Sequence, residues 1–371
     1  MRFHIATLPG DGVGQEVIDE GMKVLKAAEK IVSDFELEFE SFNAGAGLYR
    51  DTGVAMPSHV FDACKDSHAI YLGAIGLPDV LEDSGTEVSG KVMFKLRFDL
   101  NLFAGVRPYK LYPGVPTPLA NVQEIDFVIL RESIEGLFAS YGGGSVVADE
   151  VATDTLVITR RGTENISDYA FQLAMKRKGR LLDGKKLVTC VDKSNVFRSY
   201  AFFRKVFNQV ADRYEGQVER DYALIDAMTL WMVQQPENYD VIVTENQFGD
   251  IISDLAASLV GGMGMSPSGD IGYKHAMFQP AHGSAPTIAG KGIANPFAAI
   301  MSGAMMLDWL GDQHQNKGAK KASILIEKAV AQTLKEGIKT TDIGGSSSTS
   351  EFGNAVVNQM KVLSNQNGED I

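Results

Sequence analysis

Cysteine is nearly absent from this chain of 371 residues: only Cys64 and Cys190 occur, far apart. That excludes a disulfide framework and a cysteine metal site, and it fits a reducing compartment. Long apolar runs are missing too, and none approaches the length of a membrane span. The amino end, Met1-Arg2-Phe3-His4-Ile5-Ala6, enters a strand-like run directly with no signal-peptide pattern, so a cytoplasmic location is expected. Basic residues are in deficit, with 35 Lys and Arg against 47 Asp and Glu, a formal net charge of −12. Nucleic acid is a poor general partner for such a chain, whereas a small anion is not excluded, because a local cluster of arginines suffices to bind one. The dinucleotide fingerprint is also lacking. Gly10-Asp11-Gly12-Val13-Gly14 spaces its glycines Gly-x-Gly-x-Gly, and no Walker loop occurs, so an ordinary Rossmann domain is not supported.

What the chain does have is α/β alternation, over a length that suits two domains. Short apolar runs end in polar residues. His4-Ile5-Ala6-Thr7-Leu8 hands over to the glycine turn, Ala69-Ile70-Tyr71-Leu72 to Gly73, and Phe127-Val128-Ile129-Leu130 to Arg131-Glu132. Leu187-Val188-Thr189-Cys190-Val191 leads to Asp192-Lys193, and Val241-Ile242-Val243 to Thr244-Glu245-Asn246. Open α/β sheets bind ligands beyond the carboxyl ends of their strands, so these polar residues are the candidates for chemistry. Residues 344–349 read as a loop and helix cap before a last helical run at 352–363, and residues 364–370 as a frayed tail.

The most informative stretch is Asn246-Gln247-Phe248-Gly249-Asp250-Ile251-Ile252-Ser253-Asp254. Four residues apart on a helix, Asp250 and Asp254 project from one face and repel each other unless a cation lies between them. Mg2+ favours a few carboxylates with places left for substrate and water. The helix dipole alone also favours a carboxylate near a helix start, so the pair by itself has a plain alternative. Arg97, Arg107 and Arg131 lie near apolar strand ends and could grip carboxylates bidentately. Lys193 just past a strand is a candidate base, or simply a solvated turn lysine. Asp226 enters an apolar run that looks helical. Residues 280–296 form a block rich in small residues, including His282-Gly283-Ser284-Ala285-Pro286-Thr287-Ile288 and Asn295, where backbone can approach a ligand closely.

Together these segments resemble the β-decarboxylating dehydrogenases, the family of isopropylmalate, isocitrate, homoisocitrate and tartrate/D-malate dehydrogenases. The resemblance covers nearly the whole chain, from Leu8-Pro9-Gly10-Asp11-Gly12-Val13-Gly14 through Leu72-Gly73-Ala74-Ile75-Gly76 to the block at 282–296. It implies an α/β fold of two domains around a cleft. The first domain would be built from residues 1–102 and 261–371 and the second from 103–260, with a dimer-clasping arm near 145–159. It implies that Arg97, Arg107 and Arg131 hold the carboxylates of a (2R)-malate-type substrate, and that Asp226, Asp250 and Asp254 surround Mg2+ or Mn2+. Lys193 and Asp226 would reach the site from the second subunit of a homodimer. Residues Ala74 and Ile75, with His282, Gly283, Ser284, Ala285, Pro286, Thr287, Ile288 and Asn295, would hold the cofactor. The implied reaction is oxidation by NAD followed by decarboxylation.

Three features qualify the resemblance. Seven residues after Arg131, where the family usually places a tyrosine credited with the last proton transfer, stands Phe138; Tyr141 is the nearby alternative, and a lapsed, ligand-binding relative is the contrasting reading. Before Arg97, Met93 and Phe94 suit an apolar or small substituent and speak against isocitrate, while Lys91 either meets an extra carboxylate or points to solvent. At Thr287-Ile288 the aspartate common in NAD-using relatives is missing, and so is the Lys-Tyr of NADP-using ones, which leaves NAD preferred. The expected substrate is 3-isopropylmalate, ahead of tartrate or D-malate.

Overall fold

The computed structural model describes residues 1–83, 85–120 and 122–366. The chain begins with β1 (Arg2–Gly10), α1 (Gly14–Val32), β2 (Glu36–Ser41), α2 (Ala46–Thr52), α3 (Ser58–Asp66), β3 (Ala69–Ala74) and α4 (Ser89–Asp99). The middle carries β4 (Ala104–Lys110), β5 (Asp126–Glu132), β6 (Ser145–Val147), β7 (Val151–Thr153), α5 (Arg160–Lys176), β8 (Leu187–Asp192), α6 (Arg198–Ala211), β9 (Glu219–Leu224), α7 (Ile225–Gln234), β10 (Val241–Thr244) and α8 (Asn246–Leu259). The last third adds β11 (Pro267–Ile271), β12 (Ala276–Pro280), α9 (Phe297–Gln313), α10 (Lys317–Lys335) and α11 (Thr349–Gln366).

Two compact units result. The first comprises Met1–Leu100, Tyr112–Pro116 and Gly261–Ile371, and the second Asn101–Leu111 and Thr117–Val260. In the first unit the strands run in the order β2, β1, β3, β12, β11, parallel except for β11 against β12. In the second the order is β4, β5, β10, β8, β9, parallel except for β4 against β5. Strands β3, β8 and β10 are buried along their whole length, which is why they read as continuous apolar runs rather than alternating ones. Among the described residues no helix is long and apolar enough to cross a membrane.

Several boundaries differ from the sequence reading. Arg107 lies inside β4, which continues through Pro108 to Lys110. The last helix runs to Gln366, so residues 364–366 are helical rather than frayed, and residues 367–370 of the expected tail lie outside the described residues. Ser348 and Glu351 cap that helix reciprocally. The Glu351 carboxylate accepts the Ser348 backbone N–H at 2.8 Å, and the Ser348 hydroxyl accepts the Glu351 N–H at 3.3 Å.

Asp11 does the corresponding work at the opposite end of the chain. Buried just past β1, it accepts backbone N–H groups from Ala46, Gly47 and Gly76, each at 2.8 Å. It thereby ties the start of α2 and the turn after β3, which begins at Ile75 next to Ala74, to the end of β1. Removing a charged acceptor would strand three N–H groups, two of them in buried bonds, so Asp11→Ala should cost about 2–4 kcal/mol. A urea titration of the variant against wild type measures this; an unchanged midpoint would show that the turns are held by other means.

Candidate active site

The carboxyl ends of the buried strands in the second unit are followed by the polar residues singled out above. Helix α8 starts with Glu245 as its cap, whose carboxylate accepts the N–H groups of Gln247 at 3.1 Å and Phe248 at 2.8 Å. The cap sets the helix against β5, and Asn246, Asp250, Ser253 and Asp254 follow at the spacing of one helical face. Arg131 is buried at the end of β5. Its Nε donates to the Asn246 side-chain oxygen at 2.9 Å, and its Nη1 pairs with Asp250. Gly249 makes this approach feasible, since a Cβ there would lie 2.7 Å from the Arg131 Cβ. Arg107, also buried, donates to the Ser253 hydroxyl and stands 3.6 Å from Asp250. Its Nε is buried without a hydrogen-bond partner.

Arg107, Arg131, Asp250 and Asp254 thus share one neighbourhood. Asp254 is held above the usual carboxylate range, first by burial and also by the nearby Asp250 charge, with Arg107 and Arg131 pulling the other way. Glu245 is raised by burial as well. Glu132, next to Arg131, is buried and pushed up to about 8 by desolvation, against the backbone N–H groups of Glu135 at 2.6 Å and Ile134 at 3.1 Å. Phe138 packs its ring 4.9 Å from the Arg131 guanidinium, while Tyr141, 39% exposed, caps the short turn of 3-10 helix that carries Phe138.

Lys193 and Asp226 form a separate pair, Nζ to Oδ1 at 2.6 Å, just past the parallel neighbours β8 and β9. Asp226 is held below the usual range, first by the hydrogen bond from Lys193. Asp226 therefore does not join Asp250 and Asp254, and among the described residues no group of three His, Cys, Asp or Glu side chains is placed to hold a metal ion.

The remaining candidates belong to the first unit. Arg97 on α4 is buried and pairs with Asp270 at 3.2 Å, again with an unpartnered Nε. Met93 and Phe94 are half-buried on the same helix, and Phe94 stacks on Phe98 at 5.5 Å. Lys91 lies at the surface, with 40% of its side chain exposed. It pairs with Glu82 at 2.8 Å and lies 5.9 Å from the Tyr49 ring. In the 282–296 block, the Ser284 carbonyl accepts the Val13 N–H at 2.8 Å, and a Cβ on Gly12 would strike that carbonyl at 1.9 Å. Gly283, Ala285, Pro286 and Thr287 are exposed, Ala285 with a positive φ of 39°. The His282 ring meets its neighbour's carbonyl at 2.8 Å and is lowered by burial. Asn295 is buried, its amide donating to Asp342 at 3.0 Å, and Ile288 packs against Val13 and Val17. Sequence reasoning assigned no role to Ser253, Asp270 or Arg204. Each is an ordinary polar residue in sequence, recognisable only once its charged partner is in place.

Comparison with known proteins identifies the family. A family profile described as isocitrate/isopropylmalate dehydrogenase matches residues 4–356. A 3-isopropylmalate dehydrogenase of Bifidobacterium longum is 42% identical over 346 residues, covering 92% of this chain and 96% of that one. A probable tartrate dehydrogenase/decarboxylase of Bacillus subtilis is 37% identical over 367 residues, covering 98% and 99%. The crystal structure of isocitrate dehydrogenase from Methylococcus capsulatus superposes with a TM-score of 0.84 at 33% identity, covering 97% of this chain and 99% of that one.

The raised Glu132 sets a pH signature. Below the ordinary carboxylate range this position is protonated in both folded and unfolded chains. As pH climbs toward about 8 the unfolded chain ionises first, while the folded one keeps its proton. The stabilising contribution is therefore present in acid and is lost as pH rises through that window. Urea midpoints should fall for wild type relative to Glu132→Gln between about pH 5 and about pH 8, then run parallel. A constant difference across that range would mean Glu132 is ionised in the fold.

Proposed function

The chain belongs to the isocitrate/isopropylmalate dehydrogenase family, and we propose that it oxidises and decarboxylates a (2R)-malate-type substrate with NAD and Mg2+ or Mn2+, most effectively 3-isopropylmalate. The observation that carries this reading is the meeting of Arg107 and Arg131 with Asp250 and Asp254, an anion-gripping pair beside a pair of carboxylates. In the second unit the unpartnered, buried Nε of Arg107 supports a ligand that brings a carboxylate of its own. Asp254, raised by burial and by Asp250, fits a divalent cation, which would relieve both causes. The small-residue block at 282–296, with Ser284, Asn295 and the nearby Ala74 and Ile75, fits the adenosine part of NAD, and the uncharged Thr287-Ile288 offers no cation to a 2′-phosphate.

In this reading Arg97, Arg107 and Arg131 bind and orient the substrate's carboxylates, while Asp250 and Asp254, with Asp226 of a second copy, hold the metal. When bound, the metal supplies Lewis-acid stabilisation of negative charge on the reacting oxygens, and NAD supplies the hydride acceptor. Lys193 of that second copy, as its neutral amine, would take the hydroxyl proton of the substrate, and its contact with Asp226 keeps the amine aimed. Met93 and Phe94 select an apolar side group, and the commitment of Lys91 to Glu82 removes the cation that a third carboxylate would need. Phe138 has no proton to deliver after carbon dioxide leaves.

The second copy is argued from exposed apolar residues. The β6–β7 hairpin carries Val146, 70% exposed, with Val147 and Val151 also open, and a lone two-stranded hairpin has little stability of its own. Its base is tied down by Ser140 to Thr155 and by Glu135 to Thr159, so the arm is held out at a defined place. Leu230 and Trp231 on α7 and Ile251 on α8 are exposed as well. A homodimer clasped by the hairpin covers these surfaces.

Reduced cofactor should form fastest with 3-isopropylmalate when the protein is given that substrate, D-malate, tartrate and isocitrate, each with and without Mn2+. A preference for tartrate or D-malate would move the substrate assignment. No turnover with any of them would leave a ligand-binding relative instead. Phe138→Tyr should speed the appearance of the keto acid relative to carbon dioxide release, because enol protonation gains a donor. Equal rates of that last step in the two proteins would show that another group, such as Tyr141, already supplies the proton.

A further inference from the structure

The Lys193 turn is built around a charge that this mechanism does not use. Asp192, the last residue of β8, has no solvent exposure, yet both its oxygens are engaged. Oδ1 accepts from Arg204 Nη2 at 2.9 Å and from the Ser194 N–H at 2.8 Å, and Oδ2 accepts from Arg204 Nε at 2.7 Å. This is a two-armed fork with a backbone bond that closes the turn around Lys193. The same guanidinium lies 4.9 Å from the ring of Tyr222 on β9, whose hydroxyl donates to Asn208 at 2.6 Å. Arg204 and Asn208 are one turn apart on α6, so one helix face grips both strands. β8 and β9 run side by side with Cys190 opposite Tyr222 and Asp192 opposite Leu224. Their next polar side chains are Lys193 and Asp226, the pair at 2.6 Å.

We propose that Arg204 is a positioning residue, which locks the ends of β8 and β9 in register through Asp192 and Tyr222 and so fixes Lys193 against Asp226. The inference rests on the assignment of Lys193 as the proton acceptor. A side chain chosen only to neutralise Asp192 would need neither the fork nor the ring. Both are present, and each leads to one of the two strands that deliver the pair. Arg204 touches neither of the reacting side chains, so its effect falls on the geometry of proton transfer rather than on the grip of the substrate, which belongs to the arginines.

The test uses the full chain with Mn2+, NAD and 3-isopropylmalate. Arg204→Met should lower kcat on the order of 100-fold while KM for substrate and for NAD stays within about twofold, since misplacement near 1 Å has effects of that size. Arg204→Lys, which keeps the cation but not the fork, should recover about tenfold of that loss. Tyr222→Leu should lower kcat in the same pattern by a smaller factor. Urea midpoints are measured alongside. An unchanged kcat overturns the inference, as does a loss carried by KM, or failure of all three variants to unfold cooperatively, which would make the clamp purely structural. Lys193→Met separates the two levels. If that variant turns over normally, the functional reading itself falls. If it is inactive while Arg204→Met matches wild type, only the positioning inference falls.

Discussion

Buried carboxylates at the ends of buried strands organise this protein. Asp11 follows β1, Glu132 ends β5, Asp192 ends β8 and Glu245 follows β10, and each is almost wholly withdrawn from solvent. All four accept hydrogen bonds from backbone N–H groups of the turn or helix that comes next. A parallel sheet with both faces covered leaves its peptide groups unpaired just where the strands stop, and buried donors without partners are costly. A short acid at that place satisfies several of them at once and decides how the chain leaves the sheet. The direction of each exit then sets which side chains face one another.

The consequence is clearest around α8. Because Glu245 caps the helix, Asn246, Asp250 and Ser253 meet Arg131 and Arg107 on one face, and two buried guanidiniums acquire partners without burying an isolated charge. Asp250 is shared by both arginines, and Asp254 one turn on is raised by burial and by its neighbour. The cluster is thus rich in charge and incompletely satisfied, with one guanidinium Nε left without a partner. Structural ion pairs tend toward saturation of their bonds. A charged site with unfilled hydrogen-bonding capacity is what a polar ligand and a cation would complete.

Much of this was legible in the sequence because it is local. Apolar runs of strand length, and polar residues at their ends, need only a window of a few residues to recognise, and the four-residue spacing of Asp250 and Asp254 is a helical property. Partner choice was less legible. Asp11 meets Gly76 across 65 residues, Arg131 meets Asp250 across 119, and no periodicity encodes such pairings. Lys91 illustrates the limit. It is partly exposed, as one of its two alternatives had it, but no local pattern pointed to its pairing with Glu82. Arg204 was invisible for a similar reason, since its importance lies in Asp192 and Tyr222 on two different strands.

Phe138 connects the two kinds of knowledge. As a departure from a family pattern it suggests only loss, because the ring carries no exchangeable proton. Its place against the Arg131 guanidinium gives the ring a positive role. An aromatic face over a buried cation stabilises that cation whether or not the ring bears a hydroxyl, and Phe serves almost as well as Tyr. The substitution therefore separates two functions that one tyrosine would combine: shaping the arginine that grips the substrate, and handing over a proton. In the proposed reaction the ring of Phe138 can serve the first, and the second falls to another donor. The packed guanidinium, the fork on Asp192 and the Lys193–Asp226 pair occur with Phe138 in the same chain. In the proposed reaction the phenylalanine at residue 138 therefore bears on the final proton transfer, while Arg131, Lys193 and Asp226 carry the proposed binding and oxidation steps.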